Sequence, residues 1–201
     1  MIPESNELRF ETSTLCNYDC IICPRAQLTR KKETMSFDLF KTLFDKINKE
    51  TAQYNTLTFP GMGEPLLDKS LNQKIEYAKK KHFNVLMLTN ASMLTMDKFK
   101  ELENLGLDSI RVSFYGNSAE SYNKVHNVRD EGLFERVRDT LTEICRVKKT
   151  TQLLLTYNVV ENSNDSMLDS WIHYWQDKAD LLEVWRPHNW AVGMSYRPVQ
   201  Q

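Results

Sequence analysis

The chain has 201 residues, a formal net charge of −1 and a hydrophobic fraction of 41%. This length predicts about one domain with a substantial core, and the near-neutral charge gives no sign of a nucleic acid or a membrane surface as partner. The apolar runs are too short to span a bilayer, and the N-terminus lacks the basic start and apolar segment of a secretion signal. We therefore expect a cytoplasmic protein. In that reducing compartment, clustered cysteines indicate metal ligands or catalytic groups in preference to disulfides.

Short apolar segments typical of buried strands alternate with segments of helical period. In chain order they are a strand over 8–14, a helix over 36–47, a strand over 56–61, a helix over 70–82, a strand over 84–90, a helix over 95–106, a strand over 109–116, a helix over 132–147, a strand over 151–158, a helix over 166–177 and a strand over 181–187. Ser36 and Thr95 are placed to cap two of these helices. The alternation predicts an α/β fold with a parallel sheet, arranged as an open doubly wound sheet or as a partial barrel.

Polar residues recur where the predicted strands end. In parallel α/β folds, ligands bind at the carboxyl ends of the strands, so these residues are expected to share one site. They are Cys16, Cys20 and Cys23 after the first strand, Glu64 after the second, Asn90 after the third, Ser113 in the fourth, Asn158 in the fifth, and Arg186, His188 and Asn189 after the sixth.

Three cysteines in the spacing C-x3-C-x2-C lie within eight positions. A structural zinc site needs four ligands, and the other candidate ligands are distant in sequence: His82, His126, Cys145, His173 and His188. A set of three thiolates with an open position suits a [4Fe–4S] cluster, in which a non-protein ligand takes the fourth iron. A zinc site or three unrelated thiols remain the alternatives.

The segment "CNYDCIIC" (16–23) resembles the signature of the radical S-adenosylmethionine (SAM) superfamily, and the resemblance extends over about residues 8–190. It implies a partial (βα)6 TIM-like barrel in which Cys16, Cys20 and Cys23 bind a [4Fe–4S] cluster and SAM chelates the open iron. It also implies that one electron from the cluster cleaves SAM to methionine and a 5′-deoxyadenosyl radical, which takes a hydrogen atom from a substrate.

The segment "GMGEP" (61–65) resembles the Gly-Gly-Glu motif of the same superfamily. The resemblance implies that Gly61 and Gly63 let the backbone approach SAM and that Glu64 accepts hydrogen bonds from its ammonium group. It further implies contacts to SAM from other residues at the strand ends. They are Asn90 and Ser113 to the methionyl carboxylate or the ribose, Asn158 to the ribose, and the backbone of Ile22 to adenine. Turn or cap roles remain the alternatives for the first three of these.

Residues 188–201 resemble a linker that leads into a SPASM or twitch domain with auxiliary clusters, so we expect a core over 1–187 and a natural protein that continues beyond this tail. The resemblance implies a reducing partner such as a flavodoxin or ferredoxin. It implies as substrate a peptide, protein or small molecule that undergoes dehydrogenation or modification. Two alternatives stay open: a radical SAM synthase without auxiliary clusters, as in modified-nucleoside biosynthesis, and a non-catalytic iron–sulfur or zinc binding module.

Overall fold

The fold was taken from a computed structural model that describes residues 5–50 and 53–187. Six parallel strands form one sheet in sequential order. They are β1 (Glu7–Arg9), β2 (Thr56–Phe59), β3 (Asn84–Thr89), β4 (Ser109–Ser113), β5 (Gln152–Asn158) and β6 (Leu181–Trp185). Because β1 and β6 do not pair with each other, the sheet is open, and the predicted partial TIM-like barrel is confirmed. The predicted tail over 188–201, with His188 and Asn189, lies outside the described residues.

Six α-helices lie between the strands or flank them. They are α1 (Phe37–Glu50), α2 (Leu71–Lys80), α3 (Met96–Asn104), α4 (Ala119–His126), α5 (Leu133–Val147) and α6 (Leu168–Trp175). Both predicted N-caps are present, since the hydroxyl of Thr95 accepts from the N–H of Lys98 at 3.1 Å and that of Ser36 accepts from the N–H of Leu39 at 3.2 Å. Within the described ranges, no helix is long and apolar enough to cross a membrane.

The core lies between the helices and the sheet. The apolar faces that the helical period predicts are buried there. Their fully buried members include Phe40 and Phe44 of α1, Leu71, Ile75 and Ala78 of α2, Leu141 and Ile144 of α5, and Trp171 and Trp175 of α6.

The first strand is shorter than predicted. It was expected over 8–14, but it ends at Arg9. Its partner β2 stops before Pro60, which has no N–H for a ladder. Residues 12–14 pair instead with residues 33–35 in the antiparallel sense, through Thr14 N–H to Glu33 O at 2.9 Å and Met35 N–H to Thr12 O at 2.8 Å.

Helix α4 was not predicted. Its sequence "AESYNKVH" has a single aliphatic side chain beyond alanine, so hydrophobic period gives little signal over two turns. The helix is defined instead by its ends: Ser118 and Ser121 form a capping box, and Asn127 terminates it in the left-handed conformation at φ 51°.

Candidate functional site

The three clustered cysteines lie in one loop between β1 and α1. We call residues 15–32 the cysteine loop, and the antiparallel pairing of 12–14 with 33–35 closes it at its base. The loop follows β1, so it lies at the carboxyl edge of the sheet, where the sequence predicts the site. Short local pairing therefore gathers all three thiols at that edge.

The three thiols are each partly buried. Burial raises the pKa of the Cys16 thiol and, more strongly, that of the Cys20 thiol. Among the residues that the structure describes, no three His, Cys, Asp or Glu side chains converge on a single metal ion. A [4Fe–4S] cluster takes each thiolate on a different iron, and three thiols of one loop are the donor set that such a cluster uses when a non-protein ligand takes the fourth iron.

The cysteine loop packs against α4, the helix that sequence reasoning missed. The N–H of Ile21 donates to Val125 O at 3.0 Å, and the hydroxyls of Tyr18 and Tyr122 lie 2.9 Å apart. The Sγ of Cys20 lies 3.3 Å from Nδ1 of His126, which is the last residue of the helix and fully buried. Two turns of helix thus support the segment that carries the thiols.

Gly63 lies against the base of the cysteine loop. A Cβ at this position would lie 2.1 Å from the carbonyl oxygen of Ser13 and 2.6 Å from that of Leu15. The next residue, Glu64, donates its N–H to the same Leu15 carbonyl at 2.7 Å. The glycine therefore permits close approach of two segments of this chain, a role that the resemblance did not imply.

Gly61 faces the same segment on its other side. A Cβ there would meet Glu11 Cγ at 2.8 Å, and the neighbouring N–H of Met62 donates to the Glu11 carboxylate at 2.8 Å. Both glycines of "GMGEP" thus position the loop after β2 against the residues that lead into the cysteines.

Glu64 is a buried carboxylate with three donors from the chain. Its Oε1 accepts from the hydroxyl of Thr89 at 2.7 Å and the N–H of Leu66 at 3.0 Å, and its Oε2 accepts from the N–H of Asn90 at 2.8 Å. Burial still raises the pKa of Glu64, and no lysine or arginine of the described residues pairs with it. Two oxygens offer about four acceptor positions, so one position remains, on Oε2.

A buried ion pair connects the loop that carries Glu64 to the antiparallel pairing at the base of the cysteine loop. Lys74 of α2 donates to the Asp68 carboxylate and to the carbonyl oxygen of Met35, and both charged side chains are almost fully buried. The N–H and hydroxyl of Ser70 also donate to Asp68, at 2.9 and 2.8 Å. Through the Met35 carbonyl, Lys74 thus joins the β2–α2 connection to the segment that leads into α1.

Asn90 links Glu64 to the first cysteine. Its side-chain amide donates to Asn17 Oδ1 at 3.0 Å and lies 3.9 Å from Cys16 Sγ, while its carbonyl oxygen accepts from Ser92. The structure therefore brings Cys16, Glu64 and Asn90 together, and Asn17 is a neighbour that sequence reasoning missed.

Ser113 and Asn158 meet through a residue between them. The hydroxyl of Tyr115 donates to Ser113 Oγ at 2.9 Å and lies within hydrogen-bonding reach of the Asn158 side chain, while burial raises the pKa of Tyr115 to about 12. Ile22 packs against the small apolar cluster that contains Tyr115 and Val160. These predicted SAM residues thus form a second group at the same edge of the sheet.

A surface cavity of about 490 Å³ borders the cysteine loop. Its lining includes Cys16, and it does not include Glu64, Ser113 or Asn158. Three arginines line it, of which two are paired with aspartates and the third, Arg129, is exposed and forms no ion pair with any described residue. The arginines are Arg25, Arg129 and Arg136.

Comparison with known proteins identifies relatives of the core. A tungsten-containing aldehyde ferredoxin oxidoreductase cofactor-modifying protein of Pyrococcus furiosus is 29% identical over 106 residues, 53% of this chain and 30% of that protein. A probable dual-specificity RNA methyltransferase RlmN of Chlorobium phaeobacteroides is 22% identical over 213 residues, 99% of this chain and 58% of that protein. The chain thus spans 30% to 58% of the length of these relatives.

Solved structures share the fold. SuiB of Streptococcus suis bound to S-adenosylmethionine superposes with a TM-score of 0.75 at 15% identity, over 97% of this chain and 43% of that one. TYW1 with a lysine-pyruvate adduct gives 0.67 at 14% identity, over 98% and 68%. Methylornithine synthase (PylB) gives 0.65 at 10% identity, over 90% and 53%. Likeness at these identities establishes the architecture alone.

The profile of the radical SAM superfamily matches residues 10–174, well over half of the chain, and the match includes the cysteine loop, Glu64 and Asn90. Members of this family are enzymes that use a [4Fe–4S] cluster and SAM. The matched span, the open parallel sheet and the grouping of thiols with Glu64 at its carboxyl edge agree with one another, and the chain belongs to the radical SAM superfamily.

Proposed function

We propose that this chain is the core of an enzyme that cleaves SAM reductively, with Cys16, Cys20 and Cys23 as the cluster ligands and Glu64 as the anchor of SAM. The observation that carries the proposal is the contact series at the carboxyl edge of the sheet. Asn90 donates its N–H to Glu64 at 2.8 Å while its amide lies 3.9 Å from Cys16 Sγ. A ligand held by Glu64 is therefore held beside a cluster thiolate.

Glu64 suits a cationic ligand. Its charge is buried and lacks a cationic partner among the described residues, so an ammonium group at the remaining Oε2 position would offset the cost of burial. Thr89, Leu66 and Asn90 hold the carboxylate in a fixed orientation before that ligand arrives.

In this proposal Ser113, Tyr115 and Asn158 provide hydroxyl and amide groups for the polar parts of SAM, and Ile22 with the apolar cluster beside it provides an apolar contact for adenine. When bound, the cluster and SAM supply the electron transfer and the carbon radical that removes a hydrogen atom from the substrate. The protein's residues bind, orient and exclude water.

The decisive experiment is anaerobic reconstitution with iron and sulfide, reduction with dithionite, addition of SAM and an assay for 5′-deoxyadenosine. We expect the wild type to form the product and Cys20→Ala to lose cluster assembly, because two thiolates cannot hold the cube. Cys145→Ala is the matched control, since this thiol lies on α5 outside the cysteine loop. Wild-type iron content and visible absorbance in Cys20→Ala would contradict the assignment, and zinc in place of a cluster would favour a binding module.

For the substrate class we propose a peptide or protein. SuiB supports this proposal, since its structure in complex with the precursor peptide SuiA superposes on this chain with a TM-score of 0.71. The similarity to RlmN, a probable RNA methyltransferase, favours a second candidate substrate, an RNA. The salt dependence of substrate binding separates the two candidates. Contacts to RNA phosphates release counterions, so the affinity for an RNA should fall steeply as the salt concentration rises, and the affinity for a peptide should fall less.

For the electron donor we propose an acidic flavodoxin or ferredoxin that docks at the cavity lined by Cys16 and Arg129. The cavity reaches the thiol of Cys16, its lining includes none of the proposed SAM residues, and Arg129 offers an unpaired positive charge there among the described residues. Complementary charge raises the rate of encounter between such partners.

A further inference from the structure

His126 is a fully buried side chain at the end of α4 that the proposed cluster and SAM sites do not use. Its Nδ1 lies 3.3 Å from Cys20 Sγ. Its Nε2 lies 3.3 Å from the backbone N of Tyr115, which points its N–H at the ring. The imidazole therefore bridges the middle cysteine of the triad and the strand end that carries Ser113.

The Tyr115 contact determines the tautomer. A backbone N–H can only donate, so Nε2 must accept and carries no proton. In the neutral ring the proton then lies on Nδ1, which faces the sulfur of Cys20. The geometry makes His126 a hydrogen-bond donor to this thiolate.

Aromatic rings hold the imidazole in this orientation. Tyr115 stacks on it with ring centroids 4.9 Å apart and an interplanar angle of 8°. The rings of Tyr122 and Tyr18 lie at 4.3 and 5.2 Å. A flip of the ring about its Cβ–Cγ bond would place carbon Cδ2 at the sulfur and carbon Cε1 at the Tyr115 N–H. Both contacts would then be lost, so they favour the single orientation that the packing holds.

We propose that His126 donates an Nδ1–H hydrogen bond to the Cys20 thiolate and thereby raises the reduction potential of the cluster that this thiolate binds. The inference rests on the proposed function through the assignment of Cys20 as a cluster ligand. A hydrogen bond to a ligating sulfur withdraws negative charge from the cluster and so stabilises the reduced form, which carries one more electron. His126 is a positioning residue, since it acts through Cys20.

Two substitutions separate the two contacts of the ring. In His126→Asn the side-chain amide takes the place of Nδ1 and retains a donor toward Cys20, while in His126→Gln the longer side chain takes the place of Nε2 and retains an acceptor toward Tyr115. The measurement is the midpoint potential of the reduced cluster, followed by its EPR signal in an anaerobic redox titration. We expect the midpoint potential of His126→Gln to lie about 59 mV below that of the wild type, which is a tenfold change in the equilibrium constant for one-electron reduction. The midpoint potential of His126→Asn should stay close to that of the wild type.

Equal potentials in all three proteins would overturn the inference, and so would an equal fall in both variants, because that result would trace the effect to the Tyr115 contact or to the ring packing. If the wild type forms a cluster but the variants do not, a second measurement on the wild type alone still tests the inference. With ¹⁵N-labelled histidine, pulsed EPR of the wild type should detect a weak nitrogen coupling across the N–H···S bond, and its absence would contradict the inference. A wild type without any cluster signal would instead contradict the proposed function, and with it the assignment on which His126 depends.

Discussion

Glu64 places a carboxylate where water cannot solvate it, and this has a consequence for stability in the cluster-free and SAM-free chain. Burial raises the pKa of Glu64 in the folded state above its usual 4.5. At pH values between 4.5 and this higher pKa, the folded state therefore keeps a proton on Glu64 that the unfolded state has released. Stability should therefore fall as the pH rises through this window, by about 1.4 kcal/mol per pH unit, whereas Glu64→Gln lacks this dependence.

Urea unfolding at pH 4.5 and 7.5 tests this prediction. We expect the free energy of unfolding of Glu64→Gln, relative to that of the wild type, to be higher at pH 7.5 than at pH 4.5. If the variant and the wild type changed in parallel between the two pH values, the carboxylate would have to be stabilised by something other than its three hydrogen bonds.

In the reconstituted protein, Glu64→Gln should bind SAM at least tenfold more weakly than the wild type, because the variant lacks the charged partner of the ammonium group.

Gly63 gives a second prediction at the scale of one atom. Gly63→Ala would place a methyl group 2.1 Å from the Ser13 carbonyl oxygen, so the base of the cysteine loop must move. We expect iron incorporation to fall severalfold in this variant. Gly132→Ala, whose added carbon meets only the flexible end of Arg136 at 3.3 Å, is a control for general loss of a glycine, and it should retain its iron despite some strain at φ 79°. Equal iron content in both variants would contradict the role given to Gly63.

Site residues that have a distinctive spacing or belong to a short motif can be predicted from the sequence. Residues whose roles depend on contacts between distant segments cannot be predicted in this way. Cys16, Cys20, Cys23 and Glu64 stand out because their motifs are short and local. Tyr115, which joins Ser113 to Asn158, and His126, which reaches Cys20 over 106 positions, have no local signal, because their roles depend on how α4 packs. Gly63 was predicted as a position of close approach, but its partner, the backbone of Ser13 and Leu15, is visible only in the fold.

At the scale of elements, hydrophobic period predicts the long amphipathic helices well. The predicted helix over 132–147 corresponds to α5 (Leu133–Val147), with its apolar positions buried. Two other elements departed from prediction for tertiary reasons. Residues 12–14 leave the sheet to close the cysteine loop, and α4 is a short helix whose buried side chains are largely aromatic and polar. Both departures occur at the site, where contact with the cysteine loop outweighs local preference.

The ion pair between Lys74 and Asp68 yields a prediction about how elements are joined. Lys74→Met leaves the Asp68 carboxylate buried without its cation and frees the Met35 carbonyl, so we expect a loss of roughly 3–5 kcal/mol in the free energy of unfolding. Urea unfolding of the metal-free chain measures it.

Lys41→Met is the matched control, because Lys41 pairs with Asp45 at 2.8 Å on the exposed side of α1. Surface pairs of this kind contribute little, and we expect a change within about 0.5 kcal/mol. If the two variants lost similar amounts of stability, burial would not be the source of the Lys74 effect.

For the whole molecule, the parallel arrangement of the six strands brings every carboxyl strand end to one edge, which is why residues from Cys16 to Asn158 lie at that edge. The cysteine loop covers part of that edge. Cys16 of this loop lies 3.9 Å from the Asn90 amide, and it also lines the cavity that contains Arg129. The proposed SAM site and the proposed entry of electrons thus use different side chains, so substitutions can test the two independently.

Arg129→Glu should slow reduction of the cluster by an acidic flavodoxin about tenfold at low salt, since it reverses the charge that attracts the donor. Turnover driven by dithionite should change less than twofold, because that small reductant needs no docking surface. Arg146→Glu makes the same charge change at the C-terminal end of α5, away from the cysteine loop, and should leave both rates unchanged. If dithionite-driven turnover fell equally and the KM for SAM rose, Arg129 would belong to the SAM site, and the entry of electrons would have to lie elsewhere.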